Sequence, residues 1–221
     1  MSTHDQFTAA FWDERYLGAD RLWSGEPNAV LVQEITDLAP GTALDVGSGE
    51  GGDAVWLAAR GWAVTAIDVS EVGLSRVAAR AAADGVANRV TTRLIDVLND
   101  PVPGTYDLVT AHFMQLWTEV RPRIFTSLAG AVAPGGRLLI VGHDPDGMPE
   151  EFAHHHPPEF FATAEQLVAE LGDALAGWTI EVAERRARTG VQPDGRPGFL
   201  YDAVLRARRP LSRGSTGSSR A

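Results

Sequence analysis

The run DVGSGEGG, from Asp45 to Gly52, sets glycines at alternate positions behind one carboxylate and carries a second carboxylate, Glu50, inside it. Glycine at such spacing lets the backbone approach a ligand closely, because a Cβ at Gly47 or Gly49 would occupy ligand space. Placed between an apolar run and a helix, the turn aims backbone N–H groups at whatever binds there. Two patterns are satisfied together. Gly47, Gly49 and Gly52 fit G-x-G-x-x-G, the dinucleotide fingerprint, while Asp45 with Gly47, Gly49 and Gly51 fits D-x-G-x-G-x-G.

Charge separates the two. A pyrophosphate is a poor neighbour for Asp45 and Glu50, whereas a ligand with an ammonium and a sulfonium, such as S-adenosylmethionine, tolerates both. Asp68, followed by Val69, closes the next apolar run, where a carboxylate can accept hydrogen bonds from both hydroxyls of a ribose. Asp96 closes a third in LIDVLND, placed for the exocyclic amine of an adenine with the Val97 backbone beside it. Any one of these acids could serve as an ordinary turn or helix cap. Three at successive strand ends are a rarer coincidence than one glycine loop.

The elements that must position these residues alternate. TALDV (42–46), AVTAIDV (63–69), RVTTRLIDV (89–97), YDLVTAHF (106–113) and RLLIVGH (137–143) read as strands. Helical patterns follow Gly52 and stop at Gly61, start at the N-cap Ser70 and end at Gly85, and run from about Val120 to Val132 before Pro134-Gly135-Gly136. Thr163 with Gln166 predicts a capping box on a helix reaching about Leu171. GWTIEVAERRARTG and GFLYDAVLRARR, joined by turn-rich VQPDGRPG, read as an antiparallel hairpin. The expected architecture is α/β: a Rossmann-like doubly wound sheet of about seven strands, mostly parallel with an antiparallel C-terminal hairpin, and helices on both faces.

A chain of 221 residues, 44% apolar, is sized for one such core with appendages. These are expected to be a helical lid over 1–40, the domain over 41–206 and a disordered basic tail over 207–221. The absence of cysteine excludes disulfides, thiolate metal sites and a catalytic thiol. The early residues lack the apolar core of a signal peptide and no apolar run has membrane-spanning length, so a soluble cytoplasmic protein, monomer or homodimer, is expected. The net charge is −10 with five arginines concentrated in 206–221, which leaves a still more acidic body, one that repels a phosphate backbone. Nucleic acid is therefore not an expected partner.

LDVGSGEGG (44–52), AIDVS (66–70), LIDVL (94–98), YDLVTAHFM (106–114) and LAGAVAPGGRLLIVGHD (128–144) together resemble the successive motifs of class I S-adenosylmethionine-dependent methyltransferases. The resemblance covers roughly 40–145. It implies methyl transfer from S-adenosylmethionine, with Gly47, Gly49 and Gly51 on the methionine side, Asp68 on ribose and Asp96 on adenine. The opening FWDERYLGADRLWSGEPN is similar to the N-terminal lid of the small tellurite-resistance and thiopurine methyltransferase group. There Arg21 could bind the cofactor carboxylate and Trp23 could lie against the sulfonium. Equally, Trp12, Tyr16 and Trp23 could be packing anchors of an amphipathic helix, with Arg21 solvated.

On the acceptor side, His112, Phe113, Met114 and Trp117 follow the fourth strand without the N/D-P-P-Y/F pattern of enzymes that methylate amide or exocyclic nitrogens in proteins and DNA. A small-molecule acceptor is expected. His143 is the preferred proton acceptor, then His112, since an imidazole titrates near neutrality. His143, Asp144, Asp146 and His154 to His156 have metal-ligand chemistry, but adjacent histidines point apart and a polar loop explains them better, so no metal is assigned. A nicotinamide-dependent oxidoreductase is the alternative enzyme, weakened by Glu50, Asp96 and the absence of any lysine for a Tyr-x-x-x-Lys pair. A non-catalytic module that binds the cofactor is the other.

Overall fold

The computed structural model describes residues 8–114, 116–145, 157–191 and 197–212. Its sheet is built from β1 (Thr42–Val46), β2 (Ala63–Asp68), β3 (Val90–Leu94), β4 (Tyr106–His112), β5 (Val132–His143), β6 (Thr179–Val191) and β7 (Pro197–Arg208). The spatial order is β3-β2-β1-β4-β5-β7-β6. All pairings from β3 to β5 are parallel, and β7 runs antiparallel to both β5 and β6. This is the expected seven-stranded doubly wound sheet. The chain winds outward in opposite directions from β1 and β4, and the crevice above their carboxyl ends is where such sheets bind ligands.

Helices α1 (Ala9–Leu17), α2 (Ala29–Ile35), α3 (Gly52–Ala59), α4 (Glu71–Ala83), α5 (Arg121–Gly130) and α6 (Ala164–Leu171) flank the sheet. One core lies between the sheet and α5 and α6, around Leu44, Val109, Ile124, Leu128, Leu138 and Leu167. The other lies under α2, α3 and α4, around Leu31, Leu57, Val77, Leu108 and Leu139. Alternation along β4 and β5 explains both sets, since Val109 and Leu138 face one layer while Leu108 and Leu139 face the other. Local signals act as read: the Ser70 hydroxyl accepts from Gly73 N–H at 2.9 Å, and Thr163 and Gln166 complete a reciprocal capping box.

Several boundaries differ from the sequence reading; α5 ends at Gly130, and β5 begins at Val132 and takes in Pro134-Gly135-Gly136, which reads in the sequence as a turn before a strand at Arg137. β3 stops at Leu94, because its neighbour β2 ends at Asp68 and the last pair is Asp68 with Leu94. Asp96 therefore stands beyond the strand, not at its end. At the other terminus Ala207 and Arg208 belong to β7. Ala207 is fully buried, Arg206 and Arg208 reach Glu181, and the Arg209 backbone pairs with Gly135 and Gly136. The first residues of the segment read as a tail thus belong to the sheet, and 213–221 lie outside the described residues. No helix among the described residues is long and apolar enough to cross a membrane.

Candidate functional site

The glycine loop turns between β1 and α3 with Gly47, Gly49 and Gly51 at φ of 69°, 52° and 82°. These left-handed conformations are open to glycine at no steric cost. A Cβ at Gly49 would stand 3.0 Å from the Tyr16 hydroxyl and 3.4 Å from Trp23 Nε1, and one at Gly47 would stand 3.4 Å from Met114 Cγ. The loop is thus roofed by the N-terminal segment on one side and by the chain after β4 on the other.

That roof is fastened by charge. Glu50 accepts from Leu22 N–H at 3.1 Å, from Trp23 N–H at 2.8 Å and from Arg76 Nη1 at 2.5 Å, while Arg76 Nη2 donates to the Tyr16 and Ala19 carbonyls at 2.5 and 2.7 Å. Glu50 therefore ties the N-terminal segment and α4 to the glycine loop. Asp13 adds a second tie, accepting from the Ser70 hydroxyl and Val72 N–H. Trp23 donates its indole N–H to the Tyr16 hydroxyl at 3.2 Å, and burial pushes the Tyr16 hydroxyl up to about 12, so it stays protonated. Trp23 stands beside Gly49 of the loop, and Arg21 lies exposed and donates to the Ser24 carbonyl.

Glu50→Ala leaves the Arg76 guanidinium and two amides without their anion, at about 1.5–3 kcal/mol for a charge-assisted contact. Trypsin cleavage after Arg15 or Arg21 is expected to accelerate at least about tenfold at that free-energy scale. Equal cleavage rates in variant and parent would show that Glu50 does not hold the lid.

Asp68 closes β2 and accepts from Gly49 N–H and Ser70 N–H, each at 2.8 Å. Val69 N–H also approaches it, and burial raises its pKa against these hydrogen bonds. One carboxylate thus sets the loop's second glycine and keeps lone pairs for a further donor. Asp96 is spent locally, accepting from Leu98 N–H at 3.0 Å and from the Asn99 side chain at 2.6 Å. Val97 packs its side chain against the core.

Asp45 is 3% exposed. Its Oδ1 accepts from the Thr110 hydroxyl at 3.1 Å, and its Oδ2 is buried without a partner among the described residues, as is Ser48 Oγ. Burial first, and the nearby Asp53 carboxylate second, push the Asp45 carboxyl up to about 7. His112, at the end of β4, pairs Nδ1 with Asp53 Oδ2 at 2.6 Å and leaves Nε2 buried without a partner among the described residues. Asp53 takes Asn28 N–H on its other oxygen at 2.6 Å.

Beyond β4 the backbone leaves the sheet at Phe113, whose φ of 52° is the single positive value outside glycine among the described residues. Such a value in a bulky residue is strained and has to be held by its surroundings. Phe113 N–H donates to Val141 O at 2.7 Å and the ring lies 4.6 Å from the His143 ring. The turn opens a cleft lined by Phe113, Met114, Phe125, His143, Phe160 and Phe161. Behind His143, the cross-strand partner Asp202 is 1% exposed, with Oδ1 3.6 Å from His143 Nδ1 and both oxygens held by Arg188. His143 thus lines the cleft, whereas His112 is engaged with Asp53. Asp146 and His154 to His156 lie outside the described residues.

Residues 43–136 match the family model described as a methyltransferase domain. The nocamycin O-methyltransferase of Saccharothrix syringae is 30% identical over 190 residues, 82% of this chain and 64% of that protein. The ribosomal RNA small subunit methyltransferase C of Alcanivorax borkumensis is 29% identical over 126 residues, 53% of this chain and 38% of that protein. The chain therefore spans less than two thirds of the length of either relative. A structure solved in work on the conversion of a disulfide bond into a thioacetal group during echinomycin biosynthesis superposes with a TM-score of 0.73 at 26% identity, covering 94% of both chains.

Proposed function

Since the chain belongs to the class I S-adenosylmethionine-dependent methyltransferases, we propose that it transfers the methyl group of S-adenosylmethionine to a small-molecule acceptor held in the cleft beside β4 and β5. The observation that carries this reading is the contact of the two compartments. Met114 lies against Gly47 of the glycine loop and lines the aromatic cleft. The oxidoreductase alternative has no support from the family.

The residues present fit the cofactor by their own chemistry. The buried Asp45 Oδ2 and Ser48 Oγ want polar partners, and Asp68 retains acceptor capacity. When bound, S-adenosylmethionine supplies an electrophilic methyl carbon on a sulfonium. The chain then has to exclude water, align the acceptor and remove a proton where the acceptor carries one. Trp23 and Tyr16 close the loop from above, Phe113, Phe160 and Phe161 present apolar walls, and His143 backed by Asp202 is the proton acceptor. His112, buried away from the cleft, is better suited to the cofactor end.

A small acceptor is favoured over RNA by the aromatic cleft, by the acidic body of the chain, and by the longer match to the O-methyltransferase than to the ribosomal RNA enzyme. Incubation with methyl-labelled S-adenosylmethionine and fractionated metabolites, read by mass spectrometry, is expected to yield a labelled small product. Label confined to RNA or protein would overturn the acceptor class.

A further inference from the structure

We propose that the cleft beside β4 and β5 takes a flat aromatic acceptor with one acidic hydroxyl, and that Asp202, pinned by Arg188, orients His143 to receive that hydroxyl's proton. The proposal rests on the methyl-transfer reading above and names its acceptor class. The walls of the cleft set the body of that acceptor. Phe113, Phe125, His143, Phe160 and Phe161 all line it. The His143 ring lies 4.6 Å from Phe113 at 35° and 6.4 Å from Phe161 at 60°. An aromatic ring joining such a cluster gains edge-to-face and offset contacts that a saturated ring does not make.

Charge sets the functional group. Among the described residues no carboxylate lines the cleft, so an ammonium finds no anion there. The lining arginine, Arg121, is 4% exposed and already engaged, donating to both oxygens of Glu170 and to the Glu159 and Phe161 carbonyls. A carboxylate acceptor is therefore poorly matched as well. A neutral polar group remains, and His143 is the lining side chain left to bond it.

The support behind His143 is assembled before any acceptor arrives. His143 of β5 and Asp202 of β7 are cross-strand partners, and β6 supplies Arg188. Arg188 Nε stands 3.0 and 2.9 Å from the two Asp202 oxygens, and its guanidinium lies 5.7 Å from the Phe113 ring centroid. Asp202 is 1% exposed, with Oδ1 3.6 Å from His143 Nδ1. That is longer than a hydrogen bond, yet near enough for the carboxylate's charge to select the nitrogen that keeps the proton. Nδ1 carries it, and Nε2 holds the lone pair. Asp144, the next residue along, is 2% exposed and faces Arg185 of β6 at 4.0 Å. When the acceptor binds, its O–H bond breaks, the proton passes to His143 Nε2 and the electron pair stays on the oxygen. Asp202 then faces an imidazolium, and the oxyanion is the nucleophile beside it. An imidazole can take this proton from a phenol but not from an aliphatic alcohol, which holds it too firmly.

The test uses para-nitrophenol, whose phenolate absorbs at longer wavelength than its neutral form, with the full chain in the presence and absence of S-adenosylhomocysteine. At about pH 6 the ratio of ionised to neutral probe is expected to be roughly tenfold higher bound than free, the scale set by one neighbouring opposite charge. His143→Gln is expected to lose that excess while remaining folded by thermal melting. Heteronuclear NMR of the histidine side chains is expected to find the neutral His143 proton on Nδ1 in the parent and largely on Nε2 in Asp202→Asn; a merely structural role for Asp202 would not move it. Phenol is expected to displace the probe at least about fivefold better than cyclohexanol, benzoate or benzylamine. The proposal is overturned by a bound probe without excess ionisation, by the same excess in His143→Gln, or by a His143 tautomer that is Nε2–H in the parent or unchanged in Asp202→Asn. Displacement by cyclohexanol, benzoate or benzylamine as good as that by phenol overturns it too. Binding of S-adenosylhomocysteine without binding of the probe defeats this acceptor class and leaves methyl transfer standing. Failure of S-adenosylhomocysteine to bind would bring down the methyl-transfer reading and this proposal with it.

Discussion

Asp68→Ala is expected to weaken S-adenosylhomocysteine binding by roughly 1.5–3 kcal/mol, about 10- to 150-fold, and to lower the melting temperature as well. The first effect follows from the proposed function, in which Asp68 is the acceptor for a ribose hydroxyl. The second follows from the folded state itself, because the same carboxylate receives Gly49 N–H and Ser70 N–H, and a buried donor without its partner costs about 1–3 kcal/mol. Asp68→Asn separates the two effects. It keeps the shape but turns one acceptor into a donor facing an N–H, so it should lose affinity with a smaller change in packing. Titration calorimetry and thermal melting of both variants provide the check, and unchanged affinity in the alanine variant would take Asp68 out of the site.

The other large effect is a gain. Asp45→Asn is expected to stabilise the free protein at about pH 8 by roughly 1–3 kcal/mol while cofactor binding falls by at least about tenfold. The folded pKa is raised to about 7, against about 3.9 for a solvated aspartate. Below the unfolded value the carboxyl is protonated in both states and burial carries no charge penalty. As pH rises from there to the folded value, the unfolded chain ionises first and stability drains away, by up to about 4 kcal/mol for a shift near 3 units. Asparagine lacks this slope and keeps an oxygen for Thr110, but it buries an amide N–H₂ where Oδ2 now stands, which offsets part of the gain. Denaturant unfolding of both proteins from about pH 5 to 8 tests this. Parallel curves would mean that Asp45 carries no buried charge. A site residue that makes the empty protein less stable is the expected cost of a charge held ready for a ligand.

The sequence made the strand-loop-helix frame readable because its signals are local. An apolar run meeting glycines at Gly47 and Gly49, a Ser70 cap and a Thr163–Gln166 box each act within a few residues. The lid clasp was not readable, since Arg76 reaches Tyr16 and Ala19 across nearly sixty residues and nothing near Arg76 marks it. The pairing of Asp53 with His112 and of His143 with Asp202 likewise depends on which strands become neighbours. Asp202 lies behind His143 because β7, not β6, docks on β5. Asp96 shows the converse limit: RVTTRLIDV is continuous as a β-forming string, yet an edge strand extends only as far as its neighbour, and β2 had already ended. The arginines near the C-terminus look solvated when counted by composition. Their alternation with buried Leu205 and Ala207 instead sets Arg206 beside Glu34 and Glu181.

Met114 stands where the backbone swings away from the sheet after the strained Phe113, facing the Gly47 turn with one side and the aromatic cleft with the other. On the proposed function a single flexible thioether side chain is thus a party wall between the cofactor and its acceptor. A ligand that moves this side chain from one side changes the shape offered on the other, and by thermodynamic reciprocity any coupling made in this way acts by the same factor in both directions.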